Sequence, residues 1–178
     1  PTNLISITDG QIVLDADLFN KGQKPAIDIG RSVSRVGGSA QESAMKSVVG
    51  PLKLELSQYD EVARFSRFGT EVNEATRQQI QRGMRLQKLL EQGAHAPQPM
   101  TEQVILFHAI THDFMDDVEV SDIPVFSKEL LEFIDWQEPQ IIDSIRYHRK
   151  LEPELVMLLD ATLKQFLAHW EKREERVE

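Results

Sequence analysis

No cysteine occurs in the 178 residues. That excludes disulfides, thiol catalysis and cysteine-ligated zinc, and it allows a reducing compartment without proving one. Basic charge is also scarce. Lys and Arg number 20 against 29 Asp and Glu, for a net charge of −9. Phosphate backbones are bound by clustered Lys and Arg, so nucleic acid is not the expected main partner. No apolar run approaches the roughly 18 residues of a membrane-spanning helix, and no secretory leader is visible. Neither G-x-x-x-x-G-K-[ST] nor G-x-G-x-x-G occurs, so the chain carries no phosphate cradle of its own. What remains is 40% hydrophobic and 28% charged, the composition of an ordinary globular chain of about one domain.

Two regions differ in periodicity. Residues 1–38 read as β-rich. "LISITDGQIVLDADLF" places short apolar runs on either side of the turn-forming pair Asp9-Gly10. A brief helical turn is predicted over Ala16 to Asn20, stopping at Gly22. "KPAIDIG" gives one more strand, and "RSVSRVGG" is predicted to leave the sheet. Three strands without helices of their own do not make a stable sheet. Residues 1–38 therefore read as the edge of a truncated α/β domain, and the chain as a fragment of something longer.

Residues 39–178 read as helical almost throughout, a bundle of about six helices. "QESAMKSVVG" opens a helix that Gly50-Pro51 is expected to kink or break. Leu52, Leu56, Tyr59 and Val62 or Ala63 share one stripe of its continuation. Asn73 is the predicted N-cap of a helix over Glu74 to Gln92 that stops at Gly93, with Gly83 out of place inside it. Thr101 is the predicted cap of the helix carrying "EQVILFHAI". Asp122-x-Pro124, Pro139 and Pro153 each mark a further start. The last helix sets Leu155, Leu158, Leu159, Thr162, Phe166 and Trp170 at 3–4 spacing. The fold class is thus mainly α, with a few strands in front.

Three clusters carry candidate chemistry. His108 and His112 stand at i, i+4 with Asp113 and Asp116 close by, a spacing that can place two imidazoles on one metal. The zinc-protease pattern needs Glu directly after the first His, and Ala109 is there. A half-buried helix face is the preferred account, and no metal site is predicted. Asp116, Asp117 and Glu119 spread around a helix end and read as a solvated surface. Arg35 is the third. It lies between a β-prone run and the pair Gly37-Gly38, with Ser32 and Ser34 beside it. One reading is an ion pair at a strand end. The other is a planar fork of donors aimed at a phosphate, which would have to sit on another chain or domain.

The strings "PTNLISITDGQIVLDADLFNKGQKPAIDIGRSVSRVGGSAQ", "AMKSVVGPLKLELSQYDEVARFSRFG" and "RGMRLQKLLEQG" resemble the alpha subunits of the F-type rotary ATP synthases. The likeness runs through the whole chain, by string at first and more by pattern from "TEQVILFHA" onward. It implies the C-terminal edge of a nucleotide-binding domain over 1–38 and a C-terminal helical domain over 39–178. It implies a ring of alternating alpha and beta subunits around a central gamma stalk, peripheral to the cytoplasmic face of a cell membrane or its organellar equivalent, with ATP turnover coupled to ion transport. Catalysis in that family occurs at sites built mostly by beta. Alpha supplies an arginine across the interface, matched here by Arg35, whose implied role is to stabilise charge on the γ-phosphoryl oxygens. Ser6 matches a serine near the same interface, and Ser32 and Val33 match neighbours that hold the segment in shape. Phe19, Lys24, Pro25 and Gln92 match positions around the adenine of a second, non-catalytic nucleotide site. The family usually has Arg at Lys24 and Gln at Ala94; Lys lacks the fork and Ala cannot hydrogen-bond a base edge, which weakens the expectation of base binding. Pro51 stands where a small or polar residue is usual. Magnesium-bound ATP or ADP is expected in the intact complex and none on this chain alone, which is predicted to be inactive by itself. The competing hypotheses are a stand-alone helical interaction module and a metal-dependent enzyme using His108 and His112.

Overall fold

The computed structural model describes residues 7–66 and 73–174. The chain divides into two compact units. One comprises Pro1–Gln41 with Val49–Pro97, the other Glu42–Val48 with Gln98–Glu178. Helices dominate, and the described residues contain a single sheet of two strands.

In the first unit, β1 (Gly10–Leu14) pairs antiparallel with β2 (Ile27–Ser34). The apolar run before Asp9, the third expected strand, lies outside the described residues apart from its last members. Between the strands sits α1 (Ala16–Asn20). Asp15 Oδ1 caps it, accepting from the N–H groups of Asp17 (2.8 Å) and Leu18 (3.1 Å), which satisfies donors that a helix start leaves orphaned. Gly22 follows with φ +90°, a left-handed conformation that suits glycine. "RSVS" does not leave the sheet as expected; β2 runs through it to Ser34. Gly37 and Gly38 do lie beyond the sheet. Both lie in a short helix, α2 (Arg35–Ala40).

Helix α3 (Ser43–Ser66) runs through Gly50-Pro51 without a break, which leaves a kink as the only form in which the expected disturbance can be present. Pro51 has no N–H, so the Ser47 carbonyl loses its helical partner. Ser47, Gly50 and Pro51 are all exposed, and water can serve that carbonyl in place of the helix. Helix α4 (Glu74–Leu89) begins on the Asn73 cap, whose Oδ1 accepts from Thr76 N–H at 2.8 Å. It ends three residues earlier than predicted. Within this unit α3 and α4 run antiparallel. Glu55 meets Arg82 through two bonds of 3.2 Å, and Gln58 meets Gln79 at 3.3 Å. Leu52, Leu56, Leu86 and Leu89 are buried in this unit. The misplaced Gly83 is explained here. A Cβ on it would stand 2.2 Å from two ring carbons of Tyr59 and 2.5 Å from Tyr59 Cβ. The two helices approach that closely because one of them has no side chain at the crossing.

The second unit holds α5 (Met100–Thr111), α6 (Ile123–Gln137), α7 (Pro139–His148) and α8 (Pro153–Glu174). Pro99, not Thr101, is the residue before α5, and it makes no side-chain cap; Thr101 is buried inside the first turn. Val104, Ile105, Leu106, Ala109 and Ile110 are each at most 1% exposed. The reason is visible in the run "VILFHAI", which is apolar on every side rather than along one stripe, and such a helix must be covered all round. Each fully buried Leu or Ile there contributes roughly 1.5–3 kcal/mol of transfer free energy. Phe126 on α6 meets Phe166 and Trp170 on α8 edge-on, each at 5.1 Å between ring centres. Arg149 closes α7 in the left-handed region (φ 57°). Its carbonyl accepts from Ala44 N–H at 2.9 Å, and its guanidinium bonds Glu42 at 2.7 Å.

Candidate functional site

Arg35 is the first residue of α2, directly after the end of β2. Its N–H donates to the Asp9 carbonyl at 3.0 Å. Ser34 Oγ caps the helix, accepting from Gly37 N–H at 3.0 Å. A Cβ on Gly37 would lie 2.3 Å from that same Oγ. Gly37 is therefore required by the cap and not by a hinge. The Arg35 side chain is exposed, and among the described residues its guanidinium has no ion-pair partner.

The strand leading to Arg35 is irregular. Gln11 faces Val33 and Val13 faces Asp28, so Ile12 alone spans residues 29–32 of β2. Ser32 closes the gap. Its Oγ accepts from Val13 N–H at 3.0 Å, replacing a ladder bond, and donates to the Asp28 carbonyl at 2.5 Å. Val33 is half exposed and pairs with Gln11. Ser6 lies outside the described residues.

Arg31, in the same bulge, was not singled out from sequence. Its N–H and Nε donate to the two oxygens of Asp28 at 2.8 and 2.5 Å, and Nη2 reaches Asp15 Oδ2. The Leu18 N–H beside Asp15, aided by Asp17 N–H and Arg31, holds that carboxyl below its ordinary range. Partial burial pushes Asp28 up, but the N–H and guanidinium of Arg31 outweigh it and the net shift is downward. Asp28, then Asp15, raise Arg31 further. The cluster lines a groove of about 500 Å³ within the first unit, together with Tyr59 and Leu56. A pairing at spacing 16 in the sequence, across a hairpin whose register is shifted, leaves no pattern to read in advance.

The four positions that the resemblance matches to an adenine pocket, Phe19, Lys24, Pro25 and Gln92, lie elsewhere in the same unit. Lys24 Nζ lies 5.5 Å from the centre of the Phe19 ring, and Lys24 O accepts from Gln92 N–H at 2.8 Å. The Lys24-Pro25 peptide is cis. Gln92 Nε2 donates to the Ala96 carbonyl at 2.8 Å. Phe19, Lys24, Pro25 and Gln92 are all exposed.

No cluster of three or more potential metal ligands occurs among the described residues. His108 is buried, with Nε2 at 2.7 Å from Asp160 Oδ1, and the His112 ring stacks on it at 3.9 Å. Burial holds His108 below the usual histidine range, against the opposing pull of Asp160. Imidazole, carboxylate and ring stack satisfy one another, which is the packing account. No helix among the described residues is long and apolar enough to cross a membrane.

The first unit presents an exposed arginine fixed at the start of a short helix, and the second is a bundle of helices. Comparison with known proteins places the chain. A family model described as the ATP synthase alpha/beta chain, C terminal domain, matches residues 41–166, and one for the ATP synthase alpha/beta family, nucleotide-binding domain, matches residues 1–34. The chain belongs to the ATP synthase alpha/beta family. It is 49% identical over 166 residues to ATP synthase subunit alpha of Aquifex aeolicus, covering 93% of this chain and 33% of the relative. It is 50% identical over 151 residues to ATP synthase subunit alpha of Limosilactobacillus fermentum, covering 85% of this chain and 30% of the relative. The chain thus spans about a third of the length of the curated relatives it matches.

Proposed function

We propose that this chain is the C-terminal part of the regulatory, non-catalytic alpha subunit of an F-type rotary ATP synthase, and that Arg35 is its arginine finger. The nucleotide-binding domain ends near residue 38 and the helical domain follows. Arg35 reaches across to the catalytic site of a neighbouring beta subunit, where its fork of donors stabilises charge on the γ-phosphoryl oxygens of magnesium-bound ATP. Beta subunits and the central gamma stalk are the partners. The assembly works at the cytoplasmic face of a membrane, or its organellar equivalent, and couples ATP turnover to ion transport.

One observation carries the proposal. The Arg35 guanidinium is exposed and without an ion pair among the described residues, while its backbone is fixed by Asp9 and by the Ser34 cap. A structural arginine would be satisfied within its own chain; a finger is held at the base and left free at the tip. Ser32 and Val33 hold the strand that presents it, and Ser6 belongs to the same interface.

For the non-catalytic site, the fit is partial. Phe19 and Pro25 offer apolar surfaces for a base, and the Gln92 carbonyl oxygen is left to accept a hydrogen bond because its Nε2 is engaged by Ala96. Lys24 already stands over the Phe19 ring, and Ala94 offers no polar atom. We expect adenine to be held weakly there.

The test is Arg35→Ala in the full-length subunit assembled with its complex. Turnover should fall by about 10³-fold or more with nucleotide binding largely kept, the mark of a group acting only in the transition state. Unchanged turnover would overturn the assignment.

A further inference from the structure

Arg31 has no place in the chemistry described so far, yet its side chain, on the strand that leads to Arg35, bonds two carboxylates. Its N–H and Nε hold both oxygens of Asp28, and Nη2 holds Asp15. Its carbonyl accepts from Gln11 Nε2 at 3.2 Å. Asp28 belongs to β2 before the bulge, and Asp15 follows the end of β1. Arg31 therefore ties the bulge to both strands of the hairpin. Past the bulge, β2 resumes with only two pairs, Gln11 with Val33 and Gly10 with Ser34, before Arg35 begins α2. Two pairs specify register weakly, and a strand that can slip turns every later side chain to the other face. Arg31 differs from Arg35 in being anchored, through Nε and Nη2, to two carboxylates of its own chain.

We propose that Arg31 is a positioning residue: by clamping the bulge to Asp15 and Asp28 it sets the register at which β2 resumes, and so the placement of Arg35 toward the neighbouring nucleotide. This rests on the role proposed for Arg35. The side chain is 58% exposed, so removing it empties no core and leaves the effect on geometry to be read.

The experiment is a double-mutant cycle in the assembled complex: wild type, Arg31→Met, Arg35→Ala and the pair, each with kcat and KM for ATP. Arg31→Met should lower kcat about tenfold with KM unchanged, because a small misplacement of a catalytic group costs rate and not binding. In the Arg35→Ala background the same change should do nothing. Asp15→Asn gives a second route, since Asn keeps the oxygen that caps α1 but loses the charge facing Arg31. It should lower kcat about threefold, again only when Arg35 is present, and it carries the cycle if Arg31→Met does not assemble. An equal loss in both backgrounds would mean a purely structural role and would overturn the proposal. A damaging Arg35→Ala beside a harmless Arg31→Met would overturn it alone. A harmless Arg35→Ala would overturn the finger, and this proposal with it.

Discussion

Gly83→Ala should destabilise the chain, although in an ordinary helix the same change stabilises. Two effects of opposite sign compete. Alanine is favoured over glycine inside a helix by about 1 kcal/mol. Against it stands Tyr59, with two ring carbons 2.2 Å and its Cβ 2.5 Å from where the new methyl would be. Carbon atoms rest at about 3.5–4 Å, so an overlap above 1 Å must be relieved. Turning the Tyr59 ring away leaves the clash with its Cβ, so α3 and α4 have to separate. Overpacking of this kind costs typically about 1–3 kcal/mol, and the value here belongs near the top because no rotamer removes it. The net loss is then about 1–2 kcal/mol after the helix gain is subtracted. Urea unfolding followed by far-UV circular dichroism measures it, with hydrogen exchange in α3 and α4 showing where the loss falls. The sharper check is the sign in a second background. With Tyr59→Gly the obstacle, Cβ included, is gone, and adding Gly83→Ala should now stabilise by about 1 kcal/mol. If Gly83→Ala stabilised the wild type, the close crossing of α3 and α4 would be refuted.

Other outcomes follow from the same geometry. Asn73→Ala removes the α4 cap and should cost about 1 kcal/mol, seen as faster amide exchange confined to the first turn of that helix. Ser32→Ala removes both the acceptor for Val13 N–H and a donor to the Asp28 carbonyl, and should cost about 1 kcal/mol, with the Val13 amide losing protection. His108 titrates lower folded than unfolded, so the unfolded state binds the extra proton. Stability should be full above about pH 6.5 and decline as pH falls from there toward the folded value; thermal scans between pH 5 and 8 should show this, and His108→Gln should flatten it.

The helices of the second unit were legible because proline, capping residues and apolar runs mark their ends and faces locally. Pro139 and Pro153 start α7 and α8 where expected, since a missing N–H costs nothing in a first turn. For the complementary reason, Pro51 does not break its helix: its cost depends on whether the orphaned carbonyl meets water, which sequence does not show. Thr101 misled because a capping residue type was given a role that Pro99 occupies. Arg35 could be found from its string, but not its exposure or its place at a helix start. Arg31 was invisible, because its partners are brought to it by a register shift.

The all-round apolar surface of α5 has a consequence for synthesis. Its "VILFHAI" run leaves the ribosome roughly sixty residues before the end of α8, the last of the helices in its unit. At about 5–20 residues per second that is a wait of about 3–12 s. During that time the most adhesive segment of the chain has no finished cover. Timely capture of α5 by a chaperone, more than the stability of the finished bundle, should therefore govern the yield of folded protein in a cell.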